Sequence, residues 1–216
     1  MWIVITNNIS IVDLNLNFLQ RYLKLPELLN KKSFFLFGPR ATGKTTLIQN
    51  QLPCAQVYDL LDARVFDRLV RRPEILEEKL SISNAIIVID EVQKLPSILD
   101  EVHRLIQKRS ATFLLTGSSA RKLKRGSANL LAGRAWEAQL FPLTSQEIPQ
   151  LNLLQYLNRG GLPTVFPSDD YEEELHSYVS TYLREEIQAE ALTRNVQAFS
   201  GFLDLIALSN GQELSY

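Results

Sequence analysis

The stretch Phe34-Phe35-Leu36-Phe37-Gly38-Pro39-Arg40-Ala41-Thr42-Gly43-Lys44-Thr45-Thr46-Leu47-Ile48 decides how the rest of the chain is read. Gly38 to Thr45 fits the pattern G-x-x-x-x-G-K-[ST] at every fixed position. An apolar run suited to a strand stands immediately before it, and a helical pattern begins immediately after it. A chance glycine turn has no reason to sit in that context. The four residues between Gly38 and Gly43 make a loop that wraps a phosphate with its backbone N–H groups turned inward. Gly43 lets the main chain come close and take dihedrals that other residues avoid. A helix starting near Lys44 adds its positive end. Gly38, Pro39, Arg40, Ala41, Thr42, Gly43, Lys44, Thr45 and Thr46 are therefore expected to hold the phosphates of ATP. Lys44 would bridge the β- and γ-phosphates, and the Thr45 hydroxyl would ligate Mg²⁺.

Ile86-Ile87-Val88-Ile89-Asp90-Glu91 is an apolar run that ends in two carboxylates. Its consecutive β-branched residues, with no alternation, suit a strand buried on both faces. At the end of such a strand Asp90 is placed to hold Mg²⁺ together with Thr45. Glu91 beside a γ-phosphate would orient or deprotonate an attacking water. The other reading of the pair is that Asp90 and Glu91 cap the helix that follows. No N-K-x-D guanine-reading motif occurs in the chain, which argues against a GTPase. A small-molecule kinase stays open, although a carboxylate after Asp90 favours water as the nucleophile.

A third run, Thr112-Phe113-Leu114-Leu115, leads into Thr116-Gly117-Ser118-Ser119. Thr116 and Ser118 at that strand end are candidates to sense the γ-phosphate or the attacking water. The plainer alternative is a helix N-cap by Ser118 or Ser119. Arg40, inside the glycine loop, is a candidate for phosphate contact or for anchoring the loop to a lid.

Short β-rich runs alternate with longer amphipathic ones, the pattern of a mostly parallel sheet sandwiched by helices. The expected strands are Phe34–Phe37, Gln56–Leu60, Ala85–Ile89, Thr112–Leu115 and Trp136–Leu140. Lys44–Gln51, Asp62–Leu80 and Ile98–Gln107 are the expected helices between them. Beyond Pro142 no strong strand follows, and Leu151–Leu157, Tyr171–Leu192 and Val196–Leu208 read as helices. The fold class is α/β of the P-loop NTPase kind. Residues 1–149 form the ATPase core, and residues 150–216 form a small helical, lid-like subdomain.

The three motifs occur in one order together with Val92-Gln93-Lys94-Leu95-Pro96, Asn129-Leu130-Leu131-Ala132-Gly133-Arg134-Ala135 and Phe141-Pro142-Leu143-Thr144 with Glu147. Gly160-Gly161-Leu162-Pro163 and Tyr182-Leu183-Arg184-Glu185-Glu186-Ile187 follow. As a set, from about Leu36 to Tyr216, they resemble a group of prokaryotic AAA+-like ATPases of the additional-strand, catalytic-Glu type. The resemblance implies an ATPase core followed by a helical segment. Arg134 resembles that group's Gly-Arg position, where an arginine acts near the γ-phosphate in cis or from a neighbour. Its alternative is an ion pair with a local carboxylate such as Glu137. Arg184 is a weaker lid candidate. Members of the group usually continue into a winged-helix-like region and a C-terminal domain of poorly known function. This chain ends at Tyr216, where that region would begin, and so reads as a truncated product, a fragment or part of a split gene.

With Lys+Arg 23 and Asp+Glu 24 the net charge is −1, which gives no global pull toward nucleic acid or an anionic membrane. Any nucleic-acid contact would be local. Arg121, Lys122, Lys124 and Arg125 are either a solvated helix face or a contact to DNA phosphates. Cys54 is the only cysteine, which excludes a disulfide within the chain. His103 and His176 have no ligand-spaced partner and read as structural. No segment approaches the ~18 consecutive apolar residues of a membrane span, and Met1–Val12 lacks the basic start of a signal peptide. A cytoplasmic protein is expected, with self-association or a protein partner left open. The functional expectation is Mg²⁺-dependent ATP hydrolysis driving a conformational switch. The alternatives are an ATP-holding module of little turnover that acts through a partner, and a P-loop kinase.

Overall fold

The computed structural model describes residues 19–78, 80, 85–108, 111–118, 123, 131, 133–183 and 195–209. Five parallel strands form one sheet in the order β2-β3-β4-β1-β5. They are β1 (Ser33–Phe37), β2 (Gln56–Asp59), β3 (Ala85–Asp90), β4 (Ala111–Gly117) and β5 (Ala135–Gln139). All five match the sequence expectation to within two residues at each end. The register pairs Phe34 with Leu114 and Phe35 with Leu115, while Val88 pairs with Leu114 and Ile89 with Leu115.

Successive residues of a strand face opposite sides, and both sides here are apolar. Phe35, Phe37, Ile87, Ile89, Phe113 and Leu115 point into one core cluster, joined by residues of α3 (Ala63–Arg71), α4 (Ile75–Glu78) and α5 (Ile98–Gln107). Phe34, Leu36, Val88 and Leu114 point into the other, with α1 (Leu25–Leu29) and α2 (Lys44–Gln51). Double-sided burial explains why these strands read as continuous apolar runs.

β4 lies between the glycine-loop strand β1 and the carboxylate strand β3. From β1 the chain moves to the far edge at β2, and from β4 it crosses β1 to reach β5. The loop after β1 therefore sits where successive connections diverge, the usual ligand position in an open α/β sheet.

Several elements differ from expectation for local reasons. The single helix expected over Asp62–Leu80 is two. Asp62 caps α3 by accepting from Arg64 N at 2.8 Å, and Arg72 leaves the helical region (φ −142°, ψ 72°), since a following proline disfavours it there. α1 was not expected, because five residues with Pro26 in the first turn leave too short a period to recognise. α6 spans Leu153–Arg159, displaced because Asn152 caps it through Gln155 N at 3.1 Å.

By compactness the chain divides into Met1–Pro167 and Ser168–Tyr216. That division falls later than the boundary read at Pro149. Leu143, Ile148 and Phe166 form a third cluster with Leu19, Leu151 and Tyr156, and Leu143 N donates to Gly161 O at 2.6 Å. These contacts bind the segment after Pro149 to the sheet-bearing unit. The second unit contains α7 (Tyr171–Ser177), a π-helical turn over Tyr178–Leu183 and α8 (Val196–Leu208), which Asn195 caps through Ala198 N at 2.9 Å. Among the described residues, no helix is long and apolar enough to cross a membrane.

Candidate nucleotide site

The strand ends converge on a cleft of about 520 Å³. Its walls include Arg40, Ala41, Gly43, Lys44, Thr45 and Thr46 from the loop and α2, and Asp90 and Glu91 from β3. Leu19, Arg21, Leu61, Pro163 and Thr164 complete them. A volume of this order suits a nucleotide-sized ligand.

The loop is shaped by close approach. A Cβ on Gly38 would stand 2.4 Å from Leu140 O, so only glycine fits beside the end of β5. Gly43 takes φ +84° and Ala41 φ 57°, both in the left-handed region. For Ala41 that costs energy and has to be enforced by its surroundings. Part of the enforcement is visible: buried Thr42 donates through Oγ1 to Pro39 O at 2.7 Å. Gly43 precedes α2 without any side-chain cap, which leaves the first-turn N–H groups to a ligand. Lys44 Nζ donates to Gly38 O at 2.6 Å and to Pro39 O at 3.0 Å. Its ammonium is thus held inside the loop.

The two carboxylates are buried and tied to β4. Thr116 Oγ1 donates to Asp90 Oδ1 and accepts from Glu91 N at 3.2 Å. Thr45 Oγ1 donates to Asp90 Oδ2 at 3.3 Å, which joins β3 to the first turn of α2. Glu91 itself sits at φ 57°, a strained position for a non-glycine residue at a strand end. Gln93 Nε2 donates to Glu91 Oε2, and a Cβ on Gly117 would stand 2.5 Å from Gln93 Oε1. Gly117 therefore makes room for the amide that holds Glu91.

The donor set suits a hard divalent cation. Thr45 and Asp90 offer a hydroxyl and a carboxylate, the oxygen ligands Mg²⁺ takes, and among the described residues no group of three or more His, Cys, Asp or Glu side chains is gathered for a metal. An ion here would complete its shell with phosphate oxygens and water, as Mg²⁺ commonly does.

Arg21, on the cleft wall, forms a buried ion pair with Glu147. Arg21 Nε donates to Glu147 Oε1 at 3.0 Å, and each side chain is 4% exposed. Burial would by itself raise the Glu147 carboxyl. The N–H groups of Tyr22 and Thr144 and the Arg21 guanidinium outweigh it and hold the group below the ordinary carboxylate range.

Of the residues expected at the site, the structure brings the loop from Gly38 to Thr46 together with Asp90, Glu91 and Thr116, and Ser118 follows directly on β4 at the same end. It does not bring Arg134. That residue precedes β5, whose first residue, Ala135, pairs with Ser33 at the start of β1. The strands are parallel, so Arg134 lies at the opposite end of the strands, roughly 17 Å of strand from the loop and beyond the reach of its own side chain. An action on its own cleft is thereby corrected. Arg121, Lys122, Lys124, Arg125 and Arg184 lie outside the described residues.

Sequence reading missed Arg21, Gln93, Leu19, Leu61, Pro163 and Thr164. Glu147 and Gln93 stood in quoted runs, but no spacing rule links Glu147 to an arginine 126 residues away. The position of Arg134 was legible in principle: in a parallel sheet a residue before a strand faces away from motifs that follow strands.

The fold and this site define a P-loop ATPase-like α/β domain. Residues 30–149 match the family described as AAA domain, more than half of the chain, and the chain belongs to that family. Residues 150–216 match a domain of unknown function (DUF8612). No curated protein matches. Among solved structures, the chain is similar to the Walker-type ATPase PABY2304 of Pyrococcus abyssi, with TM-score 0.50 and 14% identity over 78% of this chain and 74% of that one. It is also similar to the ORC1 protein of Aeropyrum pernix, solved in complex with DNA, with TM-score 0.35 and 17% identity over 61% of this chain and 49% of that one.

Proposed function

We propose that the protein is a Mg²⁺-dependent ATPase whose turnover drives a conformational switch. The observation that carries this is the convergence of Lys44, Thr45, Asp90 and Glu91 on one cleft. The loop N–H groups and Lys44 bind the phosphates, and Lys44 exchanges its present carbonyl acceptors for phosphate oxygens. Thr45 and Asp90 would hold Mg²⁺, which when bound supplies neutralisation of phosphate charge. Glu91 takes a proton from water as the water oxygen attacks the γ-phosphorus, and ADP leaves with the former bridging oxygen. Thr116, bonded to both carboxylate residues, relays the state of the site to β4, with Ser118 beside it.

The segment after Pro149 acts as the lid-side wall, since it supplies Pro163 and Thr164 to the cleft. Arg134, remote from its own cleft, is assigned an action on the cleft of a neighbouring copy. Arg121, Lys122, Lys124 and Arg125 stand between two readings, a solvated face and a salt-sensitive contact to DNA phosphates, which duplex binding at two salt concentrations separates.

One observation favours the reading in which ATP is held with little basal turnover. The Gln93 amide occupies a Glu91 oxygen, so the base is restrained before any partner arrives.

Calorimetric titration and phosphate release test the proposal together. Tight Mg·ATP binding lost in Lys44→Ala, with ADP and phosphate formed in equal amounts, supports it. Equal affinity in Lys44→Ala and the unchanged protein contradicts it. Transfer of phosphate to an added acceptor would make the protein a kinase.

A further inference from the structure

We propose that Arg21 is the positioning residue of the phosphate loop. Its Nη1 donates to Thr42 O at 2.6 Å, and its Nη2 donates to Phe141 O at 2.5 Å. Through Nε it is paired to Glu147 at 3.0 Å. One buried guanidinium therefore clamps the loop, the chain just past β5 and the segment before α1. A planar trans peptide carries its C=O and the following N–H in opposite directions, and the described residues contain no cis peptide. Fixing the Thr42 carbonyl on Arg21 thus turns the Gly43 N–H the other way, toward the loop interior where a phosphate oxygen would lie. Gly43, at φ +84°, has the freedom to swing away without such an anchor.

Glu147 holds the clamp in place. Its Oε1 also accepts from Tyr22 N at 2.7 Å, and its Oε2 accepts from Thr144 N at 3.0 Å and Thr144 Oγ1 at 3.3 Å. The carboxylate is fixed by backbone on two sides, so the guanidinium has one orientation. Only the planar fork of arginine reaches three acceptors at once, and a lysine in its place would keep the charge but serve one of them.

This inference rests on the nucleotide reading above, and the test separates the two. Mg·ATP is titrated into the full chain, into Arg21→Lys and into the double variant Arg21→Met/Glu147→Leu, with thermal melting of each. The double variant removes both buried charges together, so that neither is left unpaired, at the cost of the backbone groups they satisfy, which the melting temperature reads. Both variants are expected to stay folded and to bind Mg·ATP about tenfold or more weakly, the scale of losing a charge-assisted hydrogen bond that orients a ligand donor. A plain structural staple predicts instead that affinity follows melting temperature. A double variant that melts with the unchanged protein and binds Mg·ATP as tightly overturns the role of Arg21. If the unchanged protein fails to bind Mg·ATP, the nucleotide reading falls and this inference with it.

Discussion

The Thr45 hydroxyl lies 3.3 Å from the Asp90 carboxylate across 45 residues of sequence, so the first turn of α2 and the end of β3 meet at one point. Two oxygen donors from different elements converge beside the lysine of the loop. Thr45→Ala and Asp90→Asn should therefore raise the Mg²⁺ concentration needed for ATP binding by about tenfold or more, in line with the loss of a ligand to a weakly held cation. ATP affinity in the presence of a chelator should be nearly unchanged. Calorimetry across a magnesium series checks both outcomes.

Thr116 is fully buried and bonded to both Asp90 and Glu91. Thr116→Val keeps the shape but leaves Glu91 N and Asp90 Oδ1 short of a partner. Stability should fall by about 2 kcal/mol, the usual cost of stranding buried polar groups. Thr116→Ser should recover most of it. Urea unfolding measures the difference, and phosphate release on the same samples shows whether turnover falls with it.

The three central strands were legible because they are buried on both faces, and a run such as Ile86 to Ile89 has few other uses; the edge strands β2 and β5, partly exposed, showed only as short β-rich runs between helical patterns. The loop from Gly38 to Thr46 was legible because phosphate binding demands a fixed spacing. The break at Pro73 was not read, although the restriction on Arg72 was there to be used. The Arg21–Glu147 pair had no local signature, since each residue's role depends on a partner that only the fold brings near. Gln93 was equally hidden: its amide matters because Gly117 of another strand leaves space for it.

The Glu147 carboxyl ionises below its ordinary value of 4.5 in the folded protein. Its contribution to stability is therefore complete above that value, and is lost as pH falls below it and through the lower folded pKa. Thermal melting followed from about pH 7 to about pH 3 should show this loss in the unchanged protein. In Glu147→Gln the protein should start less stable and show a shallower acid decline. An acid limb identical to that of the unchanged protein would exclude Glu147 as a contributor.

In the proposed mechanism hydrolysis rests on Glu91, and single-turnover reaction of bound ATP isolates that step. The unchanged protein should convert Mg·ATP to ADP and phosphate, while Glu91→Gln should bind ATP with similar affinity and react on the order of 10²-fold more slowly or worse, as expected for loss of a general base. Equal single-turnover rates in the two proteins would contradict the assignment of Glu91 and remove the main support for an ATP hydrolase.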